Sequence, residues 1–130
     1  MQKDFKKWNL VKEKVNNKNI SNLYFKEQEV WYCYFGCNVG FEQDGKGCNF
    51  LRPVLIFKKF NKNLFFGIPL TSKNKENNKF YFKINIDGTF QSLILSQMKV
   101  VDSKRLIDRK FFIPKEIFIE IKKVFMNIIS

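Results

Sequence analysis

The chain has 130 residues, the size of one domain, and its 45% hydrophobic content, with 16 Phe, is enough for one core. Its 24 Lys+Arg against 12 Asp+Glu leave a net charge of +12, a field that attracts phosphate polymers, anionic membranes or acidic proteins. It contains no His, which excludes Ser-His and Cys-His catalysis and any two-histidine ribonuclease.

The abundance of Lys, Asn, Ile and Phe has the look of AT-rich coding bias, so part of the Lys count is discounted. No apolar run approaches the ~20 residues of a membrane span. Met1-Gln2-Lys3-Asp4-Phe5-Lys6-Lys7 lacks the apolar segment of a secretory signal. The expected location is the cytoplasm, with no membrane partner. The three cysteines, Cys33, Cys37 and Cys48, are odd in number and not spaced as C-x-x-C. With no His to complete a coordination shell they read as free thiols, and neither metal nor cofactor is expected.

Residues 4–16 read as an amphipathic helix, with Asp4 as N-cap and Phe5, Trp8, Val11 or Lys12, and Val15 at helical spacing. The polar residues 16–22 break that pattern, so residues 1–26 form an extension before a main domain over 27–130. Residues 29–35 alternate as a strand, with Val30, Tyr32 and Tyr34 on one face and Trp31, Cys33 and Phe35 on the other. A Gly-rich loop over 36–49 leads to a buried strand from Arg52, with Pro53 near its start, where a missing N–H is tolerated.

Asn61-Lys62-Asn63 is a turn, 64–70 a strand and 73–78 a polar loop. Strands over 80–86 and 89–95 flank Asp87-Gly88, a strong two-residue hairpin signal. Residues 97–101 and 106–112 read as further strands. Pro114 opens a helix to about residue 128 with Ile117, Ile121, Val124, Phe125 and Ile128 as its stripe. Short strands with helices at the ends predict a mainly β, α+β fold, a small barrel or strongly curled sheet.

Arg52, Arg105 and Arg109 are the only arginines among 21 lysines. A guanidinium holds two phosphate oxygens at once and stays charged. Arg52 stands where the mobile loop enters a rigid strand; a surface pairing with Glu42 or Asp44 is the equal alternative. Thr71, Ser72 and Lys73 end a strand with two hydroxyls and a cation, a set that suits a phosphoryl oxygen or an ordinary turn. Gln97, Lys99 and Val101 fall on one strand face, where Gln could read bases and Lys hold phosphate; a half-exposed edge strand is the plainer reading. Trp31, Tyr32, Tyr34, Phe35 and Phe41 could stack on bases; most alternate through a strand as core residues, and Phe41 on the loop is the exception. The Lys-rich runs, Lys58-Lys59 and residues 73–79, are ordinarily solvated faces.

Taken together, these blocks resemble the MazF/PemK family of toxins from type II toxin–antitoxin systems. The resemblance runs through Glu29-Val30-Trp31-Tyr32, Gly36-x-Asn38-x-Gly40-x-Glu42-Gln43-x-Gly45-Lys46, Arg52-Pro53-Val54-Leu55-Ile56 and Pro69-Leu70-Thr71-Ser72. It ends with Leu95-Ser96-Gln97-Met98-Lys99-Val100-Val101-Asp102 and Lys104-Arg105-Leu106. Each block is weak alone; their order and spacing make the set specific.

The resemblance implies a small SH3-like β-barrel with a C-terminal helix, a homodimer, and an acidic antitoxin in the RNA groove. It implies metal-independent cleavage of single-stranded RNA by 2′-hydroxyl attack, giving a 2′,3′-cyclic phosphate and a 5′-hydroxyl. By motif position, Arg52 would stabilise the phosphorane, Thr71 would bond a phosphoryl oxygen, and Glu42 or Asp102 would be the base, with Glu42 slightly favoured. Gln97, Lys99, Ser72, Lys73, Asn38 and Lys46 would contact RNA. Lys99 stands where some relatives carry a catalytic Arg, and the loop between Glu42 and Arg52 exceeds that of the shortest members. The N-terminal helix is an addition to the minimal toxin. A barrel of the same descent that binds RNA or protein without cutting is the alternative. A basic DNA-binding or ribosome-associated module comes third, with no helix-turn-helix or zinc signature to support it.

Overall fold

A computed structural model describes residues 5–16, 24–35, 51–72 and 80–130. Helix α1 spans Phe5–Asn16. Strands follow as β1 (Glu29–Tyr34), β2 (Leu51–Lys59), β3 (Leu64–Thr71), β4 (Tyr81–Ile86), β5 (Thr89–Ile94), β6 (Lys99–Asp102) and β7 (Leu106–Phe112), and helix α2 spans Lys115–Ile129. All pairings are antiparallel, in the order β4-β5-β3-β2-β1-β7, with β6 also on β3. One edge of β3 pairs with β2; the other is shared, with Leu64 to Gly67 taken by β6 and Leu70 to Thr71 by β5.

The alternation of side chains along the strands builds two cores. One face gathers Trp31, Cys33, Val54, Ile56, Phe65, Val101 and Leu106, with Phe25 beneath. These come from five strands, so those strands curl around one interior as a small barrel. The opposite face presents Val30, Leu55, Ile68 and Leu70, which meet Ile84 and Leu93 of the hairpin, Leu95 just after it, and Phe118 and Ile121 of α2. Gly67 faces the interior where the strands crowd: a Cβ there would lie 2.6 Å from Val54 Cγ1 and 3.1 Å from Val101 Cγ2.

The hairpin turn forms where Asp87-Gly88 predicts it. Asp87 has φ 51° and Gly88 φ 83°, the left-handed pair a two-residue turn requires. In the turn at residues 61–63, Asn61 Oδ1 accepts from the N–H groups of Asn63 (2.7 Å) and Leu64 (3.0 Å). Pro114 precedes α2, and its carbonyl accepts the Phe118 N–H at 2.9 Å. The buried residues of α2 are Phe118 and Ile121. The stripe read from the sequence omits Phe118, which lies three residues before Ile121 on the same face and packs edge-on against Phe57, their centroids 5.9 Å apart.

One strand is corrected. Residues 95–97 form a 3₁₀ turn (Leu95–Gln97), and β6 starts only at Lys99. Gln97 therefore does not share a strand face with Lys99 and Val101, and Val101 is buried in the barrel. The cause is tertiary: β3 changes partner between Gly67 and Leu70, so the chain must turn between β5 and β6.

Helix α1 docks through Trp8 and Val15, both buried. Trp8 packs with Tyr34 and Val11 and lies under the Arg105 guanidinium, 5.6 Å from the ring centroid. Arg105 also donates to the Tyr34 carbonyl (3.2 Å), and Lys104 Nζ to the Asn16 carbonyl (3.1 Å). Asp4 lies outside the described residues. Among the described residues, no helix is long and apolar enough to cross a membrane.

Candidate active site

Arg52 lies on the second position of β2, paired with Cys33 of β1. The β2–β3 register sets Val54 opposite Pro69; two further places along each strand put Arg52 opposite Thr71, which in turn pairs with Ser92. Cys33, Arg52, Thr71 and Ser92 thus form one row across four strands. Arg52 and Thr71 share the barrel-facing side of their strands with Val54, Ile56 and Phe65, and both are buried (6% and 5% exposed). Arg52 Nη1 donates to the Leu70 carbonyl at 3.0 Å, which holds the guanidinium across the strand boundary. An Arg fixed this way loses little further freedom on gripping a phosphate.

Arg52, Thr71 and Ser72 line a pocket of about 350 Å³, together with Tyr32, Gln91 and Lys110. Lys110 Nζ stands 5.1 Å from the Tyr32 ring centroid, so a second cation lies at the rim. The described lining contains two cations, three hydroxyls and one amide, and no carboxylate. Such a set favours an anion, and above all a phosphoryl group that gains charge as it reacts.

Three of these residues escaped the reading of the sequence as site members. Tyr32, one of the aromatics that alternate along β1 and could stack on a base, is half-buried and its outer side reaches the pocket. Lys110 is one lysine among many and is placed by the β1–β7 pairing. Gln91 had one available signal, a polar pair with Ser92 leading straight into Leu93 and Ile94; in the fold both are buried.

Lys99 also points to the barrel side, its ammonium 4.0 Å from the Phe35 ring centroid. Phe35 follows Tyr34, which pairs with Leu51 beside Arg52, so Lys99 stands over the same end of the barrel. Gln97 is half-buried in its 3₁₀ turn. Asp102 sits elsewhere. It pairs with Leu64, seven residues along β3 from Thr71, or roughly 23 Å at the rise of a strand. There its carboxylate accepts the Lys104 N–H at 2.8 Å and caps the Ser103–Arg105 turn. Within one subunit the structure does not bring Asp102 to the Arg52 pocket. Glu42, Asn38, Lys46 and Lys73 lie outside the described residues, as do Phe41, Asp44, Cys37 and Cys48. Cys33 is a free, buried thiol.

The other two arginines hold structure. Arg105 clamps α1, and Arg109 pairs with Glu29 at 3.0 Å. Glu29 also accepts from Trp31 Nε1 (3.0 Å) and the Lys26 N–H (2.8 Å). Burial opposes its ionisation, but the bonds from Trp31, Lys26 and Arg109, with the Arg109 charge, outweigh burial and hold the carboxyl below its ordinary range.

A family model for PemK-like, MazF-like toxins of type II toxin–antitoxin systems matches residues 26–129. The chain belongs to this toxin family. No curated protein matches it. The PemK-like match covers every described strand and α2 and begins after α1, so the helix packed on Tyr34 and Arg105 is outside the matched region. Arg52, Thr71 and the remainder of the pocket all fall within it.

Proposed function

We propose that this PemK-like toxin is a metal-independent, sequence-specific endoribonuclease that cuts single-stranded RNA and so stops translation. The observation that carries the reading is that Arg52 and Thr71, from adjacent strands, line one pocket with a second cation and no described carboxylate. Internal transesterification needs neither a metal nor a nucleophilic side chain. It needs a base at the 2′-hydroxyl, an acid at the leaving oxygen and donors around the phosphorane.

Arg52 faces the non-bridging oxygens and donates a hydrogen bond toward the departing 5′-oxygen, which takes its proton from water. The Thr71 hydroxyl donates to a second phosphoryl oxygen. Once the 2′-oxygen attacks phosphorus and the bond to the 5′-oxygen breaks, the products are a 2′,3′-cyclic phosphate and a free 5′-hydroxyl. Glu42 is the base in this scheme, since Asp102 stands about 23 Å along β3 from Thr71. Ser72, Lys99 and Gln97 contact the RNA, and Lys73, Asn38 and Lys46 are its further contacts. An acidic antitoxin neutralises the basic surface, the toxin is a homodimer, and the site of action is the cytoplasm. Residues 1–26 are an extension to the toxin domain over 27–130.

Incubation with a long single-stranded RNA in EDTA tests the reading. Discrete cuts ending in cyclic phosphate are expected. Binding without cutting across varied RNAs would replace the nuclease with a non-catalytic binding module.

A further inference from the structure

At the opposite end of β2 from Arg52 lies a second surface with its own chemistry. Tyr24 is 71% exposed and Phe60 48% exposed. Phe60 is braced edge-on by Phe66, their centroids 4.9 Å apart. Lys59 Nζ sits 4.7 Å from the Tyr24 ring centroid and is anchored on the Phe25 carbonyl at 2.8 Å; Lys26 Nζ approaches the same ring at 5.7 Å. Tyr24, Phe60, Lys26, Lys59 and Lys62 border an open cavity of about 490 Å³. The acid among its lining is Glu27, which already accepts the Lys59 N–H at 2.9 Å and lies 3.9 Å from Lys58.

Exposed rings carry a hydration cost, and here two of them stand in a cluster of four lysines, Lys26, Lys58, Lys59 and Lys62, against one carboxylate. Exposed aromatic rings beside cations are the composition that grips unpaired bases and the phosphates between them. A duplex offers no open base faces, and an acidic peptide would use the lysines but leave the rings unused. Lys59 lies seven residues along β2 from Arg52, roughly 23 Å away, and the two pockets share no residue.

We propose that the Tyr24–Phe60 surface is an exosite for single-stranded RNA, holding a stretch of the strand remote from the bond that is cut. Its role in substrate capture rests on the nuclease reading; its binding of RNA does not. Tyr24 and Phe60 stack on bases, while Lys26, Lys59 and Lys62 contact phosphates.

The test uses the full chain and a 2′-O-methyl single-stranded RNA of about 20 nucleotides, longer than the ~4–16 nucleotides of a single-strand site and unable to be cut by 2′-hydroxyl attack. Tyr24→Ala/Lys62→Ala changes two exposed side chains. It is expected to weaken binding about 10-fold or more, the scale of one lost stacking contact. Its salt dependence should flatten by about 0.7 in log–log slope for the lost phosphate contact. Tyr24→Phe keeps the ring and should bind as the parent does. Cutting of a short RNA confined to the Arg52 pocket should be unchanged in the double variant. Unchanged binding in the double variant overturns the exosite even if the parent cuts RNA. Weakened binding alongside a parent that cuts nothing keeps the exosite and removes the nuclease. Loss of poly-glutamate binding with RNA binding intact would make the surface a protein dock and overturn the proposal.

Discussion

Arg52→Ala removes a guanidinium that reaches from the Leu70 carbonyl to the pocket wall, so it affects the fold and the reaction by different amounts. In the resting protein the variant loses the 3.0 Å bond to Leu70. A hydrogen bond to a charged group is worth about 1.5–3 kcal/mol, and removing the cation also relieves the cost of keeping it buried. The net loss of stability is therefore about 1–2 kcal/mol, small beside the 5–15 kcal/mol of a typical domain. In the proposed cleavage the variant loses donors aimed at the phosphorane, which costs about 2.7–4 kcal/mol, or 10²- to 10³-fold in rate. Single-turnover cleavage of end-labelled RNA in EDTA, at saturating protein, reads the second quantity, and urea unfolding reads the first. The expected result is a rate at least about 10²-fold lower with a modest shift of the urea midpoint. Arg52→Lys keeps the charge, but one ammonium cannot serve Leu70 and a phosphate with the geometry of a planar fork, so its rate should fall nearly as far. A near-normal rate in Arg52→Ala would refute the assignment of the pocket.

Two further substitutions test the frame around that pocket. Glu29→Gln keeps the shape but removes the charge that Arg109 pairs with, and should cost about 1–3 kcal/mol at neutral pH by urea unfolding. Because the Glu29 carboxyl is held below its ordinary range, the stability it contributes is present above its unfolded value of about 4.3 and is lost as pH falls through the lower folded value. The parent should therefore weaken more steeply than Glu29→Gln across that acid window, and parallel acid profiles would contradict the pairing. Gly67→Ala places a methyl 2.6 Å from Val54 Cγ1 and 3.0 Å from Phe65 Cε2, and should destabilise the barrel by about 1–3 kcal/mol. An unchanged thermal midpoint would mean that the interior is looser there than its contacts indicate.

The sequence by itself determined most of the local structure. Alternation over β1, the Asp87-Gly88 turn, the Asn61-Lys62-Asn63 bend and Pro114 before α2 each reflect backbone preferences within a few residues, which act whatever the rest of the chain does. Sequence also supplied Arg52 and Thr71, through the order of the blocks around them. It did not reveal that they face each other, because cross-strand register depends on which strands pair and where the pairing starts. The same register brought Tyr32, Gln91 and Lys110 to the pocket from three other strands, and no spacing along the chain connects them.

Tertiary structure also decided where residues of similar appearance ended up. Gln97 and Lys99 look like neighbours on a strand, but the change of partners along β3 puts a 3₁₀ turn between β5 and β6. Asp102 looks like a strand-end acid beside the site, yet its pairing with Leu64 sets it at the far end of β3. Local sequence chose the elements, because propensity and turn chemistry act over a few residues. The packing of five strands around one interior chose which side chains meet at Arg52, because that choice depends on contacts between residues far apart in the chain.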